Sequence, residues 1–563
     1  MAKKKRKTRK TGRQEETPLA RAEVKPGQES AQPREEIAVA AKSYAPIQAQ
    51  DWLIPALLAL AYLFTRLVNV TAVPVLYDEA SYLHWGKIIA GDWSQRFLAA
   101  AWGGKQPLHT WLIALFNMVF PDPILAGRML SVLAGGISAL LVWLIARRLF
   151  SRRVAHIAAF LYIITPYHLL YDRVAMIDSL LAAEALAVFL FSVRLLDRPV
   201  AWNAAGLALS IGATLLTKSS GLLFLALIPT VAILYADQRE VLVERAKRCA
   251  VPLLAAGVTG YLIYFVVFGS TEGVQLVAQL EANVKYALSL DEVMAMPWDV
   301  WGRNLSTVFK VFWLLLTPPI CILVACAVLA SPRLGKETLL LSIWGLLPTL
   351  GFVVVGSVFY SSYLLFVTPF LLIAGAGLLE RLYTIAVARL SLSRSLAPVV
   401  GGAALAALSL FPATQSYLAL FNPASPAFTA IDRGIYTDAF YGLVGMSEYL
   451  KEQAQKEDIY VCVNRTFGPV QDGIFLYLEG EPHVKLLVVT PYEGRLVAYD
   501  PAAKQIYPRD VLQQRPTFLA GYDEEAEAKD FLGGHIELVE KFPSLTGQRY
   551  VALYRVKVDT AFQ

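Results

Sequence analysis

The sequence predicts an α-helical polytopic membrane protein of about eleven spans with a C-terminal extracytoplasmic α/β domain. Three observations predict it. First, 56% of the 563 residues are hydrophobic and 17% are charged, whereas an average soluble domain is about 25% charged. The mean hydropathy is +0.48. Second, the apolar residues lie in long runs separated by short basic clusters, and many runs reach the roughly 20 residues that a spanning helix needs. Third, from about residue 412 the long runs stop, and polar and apolar residues interleave.

The N-terminal segment 1–48 opens with KKKRKTRKTGR and stays polar. Its apolar stretch begins too late for a signal peptide. Charged and poor in large apolar residues, the segment is expected to be a disordered tail. Its basic block flanks a span and is read as cytoplasmic rather than nucleic-acid-binding. The first span is expected at 52–71. Residues 72–127 then lie outside, with Trp85, Trp93, Trp102 and Trp111 as interface aromatics. Within this segment 79–91 and 107–119 read as amphipathic helices lying on the membrane. Further spans are expected at 128–149, 154–170, 178–195, 202–217, 221–236 and 250–268.

Arginines mark each inner turn: Arg147, Arg148, Arg152 and Arg153, then Arg194 and Arg198, then Arg239, Arg245 and Arg248. That alternation agrees with the bias of Lys and Arg toward cytoplasmic loops. A second outer segment, 269–303, contains the helical-looking QLVAQLEANVKYAL. Spans at 305–330, 338–358, 361–379 and 396–411 complete a transmembrane domain over 49–411. The odd count leaves the C-terminus outside. In 412–563, DIYVCVN, GIFLYLE, VKLLVVT, PTFLAGY and YVALYRVKV read as strands, and MSEYLKEQAQK and DEEAEAKDFL as helices. Cys249, Cys321, Cys326 and Cys462 show neither a disulfide framework nor metal-ligand spacing.

Ionisable groups at a membrane are costly and usually functional. Asp78, Glu79, Lys105, Asp172, Arg173, Asp178 and Lys218 come from four separate stretches, yet the topology sends all of them to the outer side. A carboxylate in PVLYDEASYLHWGK can take a proton from a hydroxyl or help to hold a metal ion. Equally, Asp then Glu can open a helix as cap and first-turn acid. Lys105, in the rigid turn GGKQPLH, can face a phosphate or snorkel to the interface. In YDRVAMIDSLL, Asp178 can cap the following helix, or Arg173 and an Asp can fix the loop. Lys218 interrupts two apolar runs in LLTKSSGLL, against the positive-inside bias. His84 is a further ligand or base candidate. No phosphate-binding loop, dinucleotide fingerprint or zinc pattern occurs, which argues against ATP as the driver.

Taken in order, YDEASYLHWG, GGKQPLHTWLIALFNMVF, AGRMLSVLAGGISALLVWLIARRLF, YDRVAMIDSLL and LLTKSSGLL resemble the family 39-type glycosyltransferases of the GT-C fold. This family includes protein O-mannosyltransferases and lipid A aminoarabinose transferases. The resemblance covers 52–235, with the later spans alike in topology only. It implies a polyprenyl-phosphate sugar donor, a lipid, glycan or protein hydroxyl acceptor, and inverting transfer outside the cytoplasmic membrane. It further implies Asp78 as general base beside Glu79, and Asp178 as the acid of the second motif, opened by Arg173, with Asp172 as a supporting neighbour outside the motif. Lys105 and Lys218, with Arg173, would meet the donor phosphate. No cofactor is implied with certainty, and a divalent metal stays open.

Two departures stand out. The family's Lys-Pro-Pro turn reads Lys105-Gln106-Pro107 here. The basic pair that opens a late span in many relatives is replaced by FYSSYLLFVTPF, with Tyr360 and Tyr363, leaving Arg303 of the second outer segment as a candidate cation. The rival class is a transporter or flippase of lipid-linked sugars. Transporters often show repeats and charge near the midplane, and neither is seen in this sequence.

Overall fold

A computed structural model describes residues 52–100, 104–235, 237, 239–268, 286–393, 395–422, 441–464, 469–492, 495–501, 503–522, 535–543 and 550–557. The expected tail 1–48, the outer-segment stretch 269–285 and the expected helix DEEAEAKDFL lie outside them.

The first apolar run forms α1, Leu53–Leu67. Two short helices follow where amphipathic segments are expected: α2, Tyr77–Gly91, and α3, Leu108–Asn117. Helix α4, Pro123–Leu149, starts with the Asp122 carboxylate accepting from the Ile124 N–H and with Pro123 in its first turn. A proline costs nothing there, because that N–H has no intrahelical partner. Ser151 caps α5, Arg152–Ile164, by accepting from the Val154 N–H. Pro166 then opens α6, Pro166–Tyr171, so one expected span becomes two helices broken at Thr165.

The longer helices that follow are α7, Ile177–Asp197; α8, Ala201–Thr217; α9, a mixed 3-10 and α helix over Ser219–Tyr235; and α10, Arg239–Phe268. They continue as α11, Trp298–Val311; α12, Pro318–Leu334; α13, Lys336–Val355; α14, Thr368–Arg389, entered through a 3-10 turn at Ser361–Val367; and α15, Leu396–Phe421. By length and composition, Pro123–Leu149, Ile177–Asp197, Lys336–Val355, Ser361–Arg389 and Leu396–Phe421 are able to cross a membrane. Leu53–Leu67, Leu108–Asn117, Ala201–Thr217, Ser219–Tyr235 and Pro318–Leu334 are shorter apolar helices.

One departure is at the end of the bundle. Helix α15 runs on to Phe421, past residue 411 where the last span was expected to end. Its C-terminal turns still pack: Pro412, Ser416, Ala419 and Leu420 are buried, and Ser416 Oγ donates to the Ile164 carbonyl at 2.7 Å.

The C-terminal region holds α16, Tyr441–Ala454, and α17, Pro469–Leu478, against a seven-stranded sheet. The strands are β1, Ile459–Asn464; β2, Val484–Tyr492; β3, Arg495–Asp500; β4, Gln505–Tyr507; β5, Thr517–Tyr522; β6, His535–Pro543; and β7, Tyr550–Lys557. Their order is β4-β3-β2-β1-β5-β7-β6. β1 lies parallel to β2 and β5, and the other neighbours are antiparallel.

GIFLYLE, expected as a strand, belongs to helix α17. Parallel pairing of β1 with β2 requires a crossover connection, and this segment supplies it. Val470, Ile474, Phe475 and Leu478 are buried at helical spacing, so this short apolar run packs with period 3.6. Strands β3, β4 and β6 were not anticipated. RLVAYD, QIY and HIELVEKFP are polar or short and lie toward the sheet edges.

One apolar core joins this sheet to the first loop. Val75, Leu83, Trp85, Ile89 and Ile113 cluster with Ile474, Phe475, Leu443, Val461 and Leu553.

Candidate functional site

Helix α2 begins at Tyr77, with Leu76 as its N-cap. Asp78 and Glu79 are adjacent in sequence, but their side chains have opposite fates. Glu79 is wholly buried. Its Oε2 accepts the Leu76 N–H at 2.9 Å and its Oε1 accepts the Ala175 N–H at 2.7 Å. Arg128 of α4 grips both oxygens, Nε to Oε1 at 2.9 Å and NH2 to Oε2 at 3.0 Å. Glu79 therefore caps its own helix and ties it to α4 and to the loop after α6. A Cβ on Gly127 would overlap the Leu83 side chain, so that glycine lets α2 lie close against α4. Asp78, by contrast, is exposed.

The second acid sits nearby. Met176 is the N-cap of α7, with no side-chain cap bond, so Asp178 is a first-turn acid rather than the cap. Its Oδ1 accepts from the Lys218 ammonium at 2.8 Å, and Asp178 is almost fully buried. The same ammonium lies 4.7 Å from the centre of the Tyr363 ring. An ammonium has three N–H donors, so among the described residues Lys218 keeps two beyond its bond to Asp178. Tyr82, one turn along α2 from Asp78, is buried between these groups. Burial foremost, then the charges of Asp78 and Asp178, hold its phenol well above the usual range.

Lys105 follows Gly104, whose φ of 65° is readily adopted only by a residue without Cβ. Its backbone N–H donates to the Ala100 carbonyl at 3.1 Å. Gln106, buried, donates from Nε2 to Ser219 Oγ at 2.5 Å. The turn carrying Lys105 is thereby fastened to the turn carrying Lys218. Among the described residues, the half-buried Lys105 side chain has no hydrogen-bond or ion-pair partner.

The other sequence candidates are placed differently. Asp172 is fully buried, facing Arg66 Nε and NH2 at 3.3 Å and Tyr162 at 3.2 Å. Arg173 donates from NH2 to the Val68 and Asn69 carbonyls at 2.7 and 2.6 Å, holding the loop after α1. Arg303 is exposed on α11 and donates to the Ser357 carbonyl at 3.1 Å. Tyr360 is half exposed and meets Tyr363 edge-on, centroids 5.6 Å apart. His84 is buried against Asp472 of the C-terminal sheet region, Nδ1 to Oδ1 at 2.8 Å.

Sequence reading singled out neither Arg128 nor Arg66, since an arginine inside an apolar run does not reveal which acid it meets. It also passed over Glu184, buried on α7, whose Oε1 accepts from Thr217 at 2.7 Å, next to Lys218. Glu184 interrupts a long apolar run, and that was the available signal. Among the described residues no three His, Cys, Asp or Glu side chains gather as a metal site.

Superposition on solved structures decides the fold. The chain aligns with ArnT from Cupriavidus metallidurans bound to undecaprenyl phosphate at a TM-score of 0.52 and 16% identity, covering 90% of this chain and 98% of that one. The fold is the GT-C fold. The apo state of the same protein aligns at 0.51 with 15% identity and the same coverage. Residues 104–269 match the family model for dolichyl-phosphate-mannose-protein mannosyltransferase. Over 117 residues the chain is 33% identical to undecaprenyl phosphate-alpha-4-amino-4-deoxy-L-arabinose arabinosyl transferase 2 of Pseudomonas fluorescens. That match spans 20% of either chain. With its apolar helices, this GT-C chain is a multi-pass membrane protein.

Proposed function

We propose that the protein transfers a sugar from a polyprenyl-phosphate donor to a lipid, glycan or protein hydroxyl at the outer face of the cytoplasmic membrane. One observation carries most of the weight: the turns of Lys105 and Lys218 are fastened to each other by Gln106 and Ser219, and Lys218 is paired with Asp178. On this reading the two lysines would meet one anion, the donor phosphate.

The donor is already activated, so the chemistry needs no nucleotide. As the bond from the sugar C1 to the phosphate oxygen breaks, negative charge grows on the departing polyprenyl phosphate. Lys105 and the two spare donors of Lys218 would stabilise that charge, an effect worth a factor of about 10²–10³ per donor in related settings. Asp78 would take the proton of the acceptor hydroxyl as that oxygen attacks C1 from the opposite side, which inverts the anomeric centre. Asp178 would hold Lys218 in place. Arg173, Asp172 and Glu79 would act through the scaffold rather than on the substrate.

Incubating the purified protein with a panel of undecaprenyl-phosphate-linked sugars tests the reading. One donor is expected to be consumed, releasing undecaprenyl phosphate, and that donor alone is expected to raise the melting temperature. A panel in which no donor is consumed or bound contradicts it.

A further inference from the structure

Asp472 is a buried carboxylate in the first turn of α17, between the buried Val470 and Ile474. Nothing in the transfer chemistry uses it. Both of its oxygens are directed out of its own domain and onto α2. Oδ2 accepts from Ser81 Oγ, and Oδ1 faces His84 Nδ1 at 2.8 Å. Ser81 and His84 are themselves buried.

The contact continues along both helices. The His84 ring stacks on Phe475, centroids 5.0 Å apart with an interplanar angle of 22°. At the rim Lys87 meets Glu479 at 2.5 Å. Residues 81, 84 and 87 thus face 472, 475 and 479, one stripe of each helix against the other. Beyond the start of α2, the Val75 N–H donates to the Tyr477 hydroxyl at 3.5 Å.

Asp78 lies one turn before Ser81 on α2. Its helix is pinned at the N-terminal end by Glu79 to Arg128. Toward its middle, Asp472 holds it through Ser81 and His84. We propose that Asp472 is a positioning residue, through which the C-terminal domain sets the place of the helix that presents Asp78. The proposal rests on the reading of Asp78 as the base. A base must sit within hydrogen-bond reach of the proton it removes. A displacement of about 1 Å can cost on the order of 10² in rate.

The test uses the full-length protein. Turnover is read on the panel of undecaprenyl-phosphate sugars, binding on undecaprenyl phosphate itself, and order in 77–91 by amide hydrogen exchange. Asp472→Ala is expected to lower kcat about 10- to 100-fold, leave undecaprenyl phosphate affinity within about twofold, and speed exchange across 77–91. Asp472→Asn keeps an acceptor for Ser81 and is expected to recover most of both losses; it also serves as the measured variant if the alanine form does not fold. Turnover and exchange both unchanged in the substituted protein overturn the proposal. Faster exchange with unchanged kcat also overturns it, because the contact then docks the domain without positioning the base. A wild type that consumes no donor counts against the sugar-transfer reading, and the exchange measurement then decides the contact alone.

Discussion

Two carboxylate–cation centres lie side by side where α2 meets the bundle, and they are finished to different degrees. In the Glu79–Arg128 centre every bonding position is taken. Arg128 has five N–H donors, and they reach Glu79 Oε1, Glu79 Oε2 and the Val70, Val73 and Pro74 carbonyls. Glu79 in turn accepts from Arg128 twice, from Leu76 and from Ala175. In the Asp178–Lys218 centre a single 2.8 Å bond joins the partners, and Lys218 remains partly exposed. Saturation marks a joint, whereas on the proposed reading the spare donors of Lys218 would be left for a substrate.

Breaking the saturated centre is expected to give the largest loss. Arg128→Met leaves Glu79 buried without its cation, which costs about 3–5 kcal/mol. Thermal unfolding in detergent should show a large fall in melting temperature and poor yield. Lys218→Ala removes a cation from the open centre. It should cost about 10²–10³ in kcat. Because the almost fully buried Asp178 loses its cation, the melting temperature falls as well. The fall is smaller than in Arg128→Met, since Lys218 makes one bond where Arg128 makes five. A stability loss as large as that of Arg128→Met would make Lys218 a joint as well.

Gln106→Ala separates the two lysine turns without touching either charge. A hydrogen bond of this kind contributes about 0.5–1.5 kcal/mol, so a rise of a few-fold in the donor KM is expected from steady-state kinetics. Lys87→Ala breaks an ion pair with both side chains substantially exposed. Its effect on melting should correspond to less than about 1 kcal/mol, with unchanged turnover.

Much of the helical fold was legible because hydropathy alone marks long apolar runs. The helices at 123–149, 177–197 and 201–217 lie where the runs are. What sequence reading lost has physical causes. GIFLYLE is a short, continuous apolar run that periodicity alone cannot assign to strand or helix, yet the parallel pairing of β1 and β2 requires a crossover, and this helix supplies it. Arg128 pairs across 49 residues with Glu79, and no local pattern announces such a partner. Gln106 looked like a departure from a Lys-Pro-Pro turn, but its amide makes a bond to Ser219 that a proline cannot make. Likewise, the acidic pair at 78–79 could be read as cap or reactant. Only the packing of α4 against α2 separates the two, giving Glu79 the joint and leaving Asp78 exposed.

Turnover of the Asp78→Asn protein on the donor that the wild type consumes, measured alongside its affinity for undecaprenyl phosphate, tests the central claim most directly. The account predicts a loss of about 10²–10⁴-fold in kcat, with phosphate binding and melting temperature close to wild type. Turnover at the wild-type rate would contradict it.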